Sequence, residues 1–102
     1  MMKYRYKIKP CAQRKIKAFY FNVAKKYRHT YSKDLMHKNI DEAVDAMFQI
    51  EKSLLRRRPT TSRWAGLYMA NTDKWYYAYV IDADTITVVD VCHAQNMTSS
   101  EF

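Results

Sequence analysis

Trp75-Tyr76-Tyr77-Ala78-Tyr79-Val80-Ile81 and Thr85-Ile86-Thr87-Val88-Val89-Asp90-Val91, joined by Asp82-Ala83-Asp84, decide the fold of this chain. Both runs are rich in aromatic and β-branched residues, which fit a pleated, half-buried surface. The linking tripeptide has hairpin length and turn chemistry. Upstream, Asn71-Thr72-Asp73 separates Trp75 from a further candidate strand, Trp64 to Ala70. Successive strands with short turns make an antiparallel meander, which needs apolar cover on one face. Alternation puts Trp75, Tyr77, Tyr79 and Ile81 on one side of the first strand, and Ile86, Val88 and Asp90 opposite Val89 and Val91 on the second. Both faces carry bulky groups, so one is expected to meet helices and the other to contact something else.

The preceding residues supply that cover. Lys3-Tyr4-Arg5-Tyr6-Lys7-Ile8-Lys9 alternates strictly, giving a strand with one cationic face and one apolar face. Pro10 suits the first turn of a helix. Ala12, Ile16, Phe19, Tyr20, Val23 and Tyr27 then recur near the 3.6 period, with Arg14, Lys15, Lys17, Lys25 and Lys26 opposite. A second stripe runs Met36, Ile40, Val44, Met47 and Leu54. Its start falls near Ser32 or at Asn39, where Glu42 would complete a capping box, and Pro59 is expected to end it. The reading is α+β: strand, helix, helix, three-stranded meander, an antiparallel sheet packed against a helical hairpin.

At 102 residues the chain suits one domain, placed at 1–97 with a short polar tail at 98–102. No apolar run approaches the ~20 residues that span a bilayer, and the lysine-bearing start has no apolar segment typical of a secretory signal. No membrane association and a cytoplasmic location are therefore expected, with Cys11 and Cys92 reduced. The net charge of +8 is unevenly spread. Residues 1–38 hold twelve Lys or Arg against Asp34 alone, residues 39–55 are acidic, and Arg56, Arg57, Arg58 and Arg63 restore positive charge. Such asymmetry points to a polyanion or an acidic protein as partner.

Few residues offer chemistry. His93 ends the last strand and can act as general acid or base, or simply sit at the surface. Arg56-Arg57-Arg58 with Arg63 can hold phosphates through paired hydrogen bonds, or complement a helix dipole. Lys74 precedes Trp75 beside aromatics able to stack a base. No zinc site is expected, because no ligand spacing recurs and adjacent Cys92 and His93 point to opposite sides of an extended chain. There is no Gly-rich phosphate loop and no nucleophile elbow, and no cofactor is implied.

The basic strand Lys3–Lys9, two amphipathic helices, Trp75-Tyr76-Tyr77-Ala78-Tyr79-Val80-Ile81-Asp82 and Thr85–Val91 leading to His93 resemble the RelE/ParE superfamily of toxins from type II toxin–antitoxin pairs. The resemblance spans residues 3–97 and implies that family's fold. It implies one of two activities. One branch cuts mRNA in the ribosomal A site without metal; the ParE-like branch inhibits DNA gyrase. Both are neutralised by a cognate antitoxin through an acidic segment. By position, Lys74 matches a catalytic Arg of the YoeB-like nucleases and His93 their terminal His. Arg58 and Arg63 would replace basic residues of the preceding strand, since Ala65-Gly66-Leu67-Tyr68-Met69 has none. The nuclease reading makes Arg63, Lys74 and His93 catalytic, with Arg56, Arg57, Arg58, Tyr68, Tyr79 and Asn96 binding substrate. Gyrase inhibition and a non-toxic binding protein of this fold stay open.

Overall fold

The computed structural model describes residues 4–53, 55–59, 61–72 and 74–94. Lys3, Leu54, Asp73, Asn96, Met97 and the tail at 98–102 lie outside the described residues. The elements are β1 (Arg5–Ile8), α1 (Pro10–Lys26), α2 (Lys33–Met47), β2 (Tyr68–Asn71), β3 (Trp75–Asp82) and β4 (Thr85–His93). This is the expected α+β class. Pro10 opens α1, where its missing N–H costs nothing. Of the two candidate starts for α2, the chain uses Ser32, whose hydroxyl accepts from the Leu35 amide at 3.1 Å.

The second helix is shorter than its periodicity suggests. It stops at Met47, not at Pro59, and a 3₁₀ turn follows at Ile50–Lys52. The turn lets Ile50 drop into the core at 2% exposure, and the Glu51 amide donates to the Tyr6 hydroxyl at 3.1 Å. A continued helix would carry both away from β1.

The sheet order is β1-β4-β3-β2, and the sheet is mixed where antiparallel pairing throughout was expected. β2–β3 and β3–β4 form the antiparallel meander, but β1 lies parallel to β4, from Arg5 opposite Thr85 to Ile8 opposite Val88. Parallel neighbours need a long crossover, and the two helices are part of it. The pairing keeps Tyr6 and Ile8 on the same face as Ile86 and Val88, against the helices.

That helix-side core joins Ala12, Ile16 and Tyr20 of α1 and Met36, Ile40, Ala43 and Met47 of α2 to Trp75, Tyr77, Tyr79, Ile86, Val88 and Val91. Val91 belongs there because the register slips: Ala78 faces Asp90 while Tyr79 faces Val88, leaving Val89 as the extra residue of a bulge. The bulge exchanges the expected positions of Asp90 and Val91. Strict alternation would have aimed a carboxylate at the helices.

The far face is not left open along its length. Trp64, expected to begin a strand, sits instead on a 3₁₀ turn (Ser62–Trp64) and covers Met69, Ala78 and Cys92. Gly66 permits the reversal with φ +85°, in the left-handed region that a side chain disfavours. Asp90 accepts from the Trp64 indole at 2.9 Å and from Lys15 of α1. Burial alone would raise the Asp90 carboxyl, but hydrogen bonds from Lys15, Trp64 and its neighbour's amide hold it below the usual range.

Candidate functional site

Register brings two of the predicted site residues together. Trp75 pairs with His93, and the Ala94 amide donates to the Lys74 carbonyl at 2.7 Å, so Lys74 and His93 lie at the same end of the β3–β4 hairpin. The turn before β3 is fixed by Thr72, whose hydroxyl accepts from the Lys74 amide at 3.3 Å and the Trp75 amide at 3.1 Å.

His93 is held by rings. Its imidazole stacks on Phe19 of α1 with centroids 4.1 Å apart and meets Trp75 edge-on at 5.1 Å. Trp75 is anchored in turn, its indole N–H donating to the Tyr20 hydroxyl at 3.0 Å. Burial depresses the His93 pKa, and the neighbouring Lys74 charge depresses it further. Both effects favour the neutral imidazole, the form that can act as a base.

Lys74 and His93 line a hollow of about 670 Å³ with Phe19, Asn22 and Lys26 of α1 and Tyr27 just past its end. Phe19, Asn22 and Lys26 recur at three- and four-residue spacing, so one stripe of α1 delivers a ring, an amide and an ammonium group, and Tyr27 at the C-cap adds a phenol. Two cations beside a neutral base can hold a phosphate and remove a proton next to it. Phe19, Asn22, Lys26 and Tyr27 are absent from the sequence-derived set. Periodicity assigns Phe19 and Tyr27 to the apolar stripe and Lys26 to the opposite face, so no local signal brings them together.

The other predicted residues lie elsewhere. Arg63 sits on the 3₁₀ turn of the far face, where its charge acts on Cys92; burial there pushes the thiol up to about 11 despite it. Because neighbours in a strand alternate, Cys92 and His93 face opposite sides, and Arg63 is not among the described residues lining the Lys74–His93 hollow. Arg56, Tyr68 and Tyr79 form a separate cluster. The Arg56 amide donates to the Tyr79 hydroxyl at 3.3 Å, its guanidinium donates to Tyr68 at 3.2 Å, and Arg56 itself has φ +63°. Tyr79 is fully buried, and burial raises its pKa. This cluster is four residues from Trp75 along β3, about 13 Å at the usual strand rise. Arg57 binds Asn71 at 2.7 Å, and its carbonyl accepts from the Met69 amide of the edge strand β2. Arg58 borders a groove on the far face with Leu67 and Val80. Asn96 lies outside the described residues.

No group of three or more His, Cys, Asp or Glu residues able to hold a metal occurs among the described residues. No helix there is long and apolar enough to cross a membrane. No protein-family model matches the chain, and no curated protein matches it.

Proposed function

We propose that this protein is the toxin of a type II toxin–antitoxin pair with a RelE/ParE-like fold, and that it cuts mRNA on the ribosome in the cytoplasm. The observation that carries the reading is the neutral His93 beside Lys74 and Lys26 in one hollow. The strand–helix–helix–meander order supports the family assignment.

In this reading His93 accepts the proton of a ribose 2′-hydroxyl, whose oxygen attacks the adjacent phosphorus. Lys74 and Lys26 stabilise the charge that builds on the non-bridging oxygens. The bond to the 5′-oxygen breaks, that oxygen takes a proton from one of the two ammonium groups, and a 2′,3′-cyclic phosphate remains. The ribosome orients the substrate, so a small site suffices. Arg63 has no part in these steps, and Arg56, Arg57 and Arg58 serve as a more distant track for the RNA backbone.

A second hollow suits the antitoxin. Phe21, Ala24, Lys25, Arg28, Tyr31 and Lys33 line about 610 Å³ between the helices, and Phe21 is 48% exposed. An acidic amphipathic segment fits an apolar floor with cationic walls. The same surface favours the second reading, a binding protein acting on gyrase or lacking toxicity.

Primer extension on a reporter mRNA, after brief induction of the protein in bacteria, tests the proposal. Cuts should depend on the start codon of the reporter, and His93→Gln with Lys74→Met should lower cleavage by at least about 10²-fold, the usual scale for a general base. Unchanged cleavage in that double variant would remove the site. Intact mRNA in growth-arrested cells, with supercoiling blocked by purified protein, would favour gyrase.

A further inference from the structure

Lys74 is a ridge between two hollows. The second, about 290 Å³, is lined by Asn39, Glu42, Ala43, Ala46 and Thr72. The α2 residues follow three- and four-residue spacing, so one face of that helix forms the wall, and two alanines leave its space. Trp75 and Tyr20 bound it, joined by the indole-to-hydroxyl hydrogen bond at 3.0 Å. Burial raises the pKa of the Tyr20 hydroxyl, and the charge of Glu42 contributes, so the carboxylate is felt at the floor. Asn39 already donates its amide N–H to Tyr31, which leaves its carbonyl as an acceptor.

The two hollows share Lys74 and differ in what they add to it. One adds a second cation, Lys26; the other adds acceptors, and Glu42 is its carboxylate among the described residues. A phosphodiester held at Lys74 must send its flanking nucleosides to either side of the ridge. The smaller hollow lies at the low end of ligand-pocket volumes, which suits one heterocycle rather than a larger ligand.

We propose that the Glu42 hollow is a base-recognition pocket that selects guanine next to the phosphate held by Lys74. A carboxylate is acceptor-only and offers two oxygens side by side. Guanine presents two adjacent donors, N1–H and the N2 amino group, on its Watson–Crick edge. Adenine sets an acceptor beside its donor, uracil flanks one donor with carbonyls, and cytosine offers a single amino group. Unstacked bases of single-stranded RNA are read through this edge. The inference deepens the nuclease reading by naming the base at that site, and it rests on that reading for the phosphate at Lys74.

Binding separates the two claims. RNA tetramers UUGU, UUAU, UUCU and UUUU with 2′-O-methyl sugars cannot be cut, and their affinities can be measured through the methyl resonances of Ala43 and Ala46. The G-containing tetramer should bind about tenfold more tightly than the A-containing one, the scale of one good bidentate base contact. Glu42 is exposed, so Glu42→Gln should fold normally. Its amide pairs a donor with an acceptor, so the preference should move to adenine. Equal affinity for all four tetramers, or a guanine preference surviving in Glu42→Gln, would overturn the proposal. Guanine selection by a protein that leaves reporter mRNA intact would keep the pocket and discard the nuclease. Cleavage indifferent to the neighbouring base, with equal tetramer binding, would do the reverse.

Discussion

The two faces of the sheet are held in different ways. On the helix side, buried residues from α1, α2, β3 and β4 pack as one continuous cluster. On the far side, Trp64 covers Met69, Ala78 and Cys92, and its indole is tied to Asp90. One face spreads its burial over many side chains of four elements, while the other centres on the Trp64 ring and its hydrogen bond to Asp90. The candidate site stands at the end of the first face, where His93 and Lys74 inherit the rigidity of the core. Arg63 stands on the second, beside the single plug.

The comparison can be broken by substitution. Trp75→Ala removes the ring that contacts Phe19, Tyr20 and His93, and should cost about 3–5 kcal/mol in urea unfolding, the range for large-to-small changes in a core. Trp64→Phe keeps most of the plug but takes the indole donor from Asp90, and should cost about 1.5–3 kcal/mol, the worth of a hydrogen bond to a charged group. A larger loss from Trp64→Phe than from Trp75→Ala would invert the picture. The same variant carries a pH signature. With its carboxyl held below 3.8, Asp90 stabilises the native state fully above that value, and the stability is lost as pH falls through the lowered pKa. Without the indole, acid unfolding should begin at higher pH.

The smallest effect belongs to His93. Its folded pKa lies below 6.5, so the unfolded chain takes up the proton first. Stability should be full above pH 6.5, decline as pH falls toward the folded pKa, and level off below it. His93→Phe retains a ring against Phe19 and should flatten that stretch of the pH profile. An unaltered slope would mean that His93 is not held neutral.

Much of this architecture is legible in residue periodicity. Alternation marks β1, the 3.6 period marks both helices, and Pro10 marks the start of α1, while the start of α2 stays open between Ser32 and Asn39 until the Ser32 cap is seen. Three features escaped because each depends on distant partners. The parallel placement of β1 depends on the path of the chain through both helices and the meander back to β4. The bulge at Val89 is decided by the need of Asp90 for Lys15 and Trp64. The separation of Arg63 from Lys74 follows from a turn at Gly66 that converts a predicted strand into a plug. At the candidate site, Lys74 and His93 could be named because they flank strands that pair. Lys26, Phe19 and Glu42 could not, since their roles depend on where α1 and α2 cross the hairpin end.

The pairing of β1 with β4 also governs when the protein becomes itself. Arg5 meets Thr85, so β1 waits 80 positions for its neighbour. Contacts of such long sequence separation slow folding, because loop closure must be met before they are rewarded. The hollow takes one wall from α1 and another from the end of β4. A nascent chain that has made both helices but not the last strand therefore lacks one wall of the hollow. Under the proposed function, that interval would let an acidic antitoxin segment meet the exposed helices before the hollow is complete.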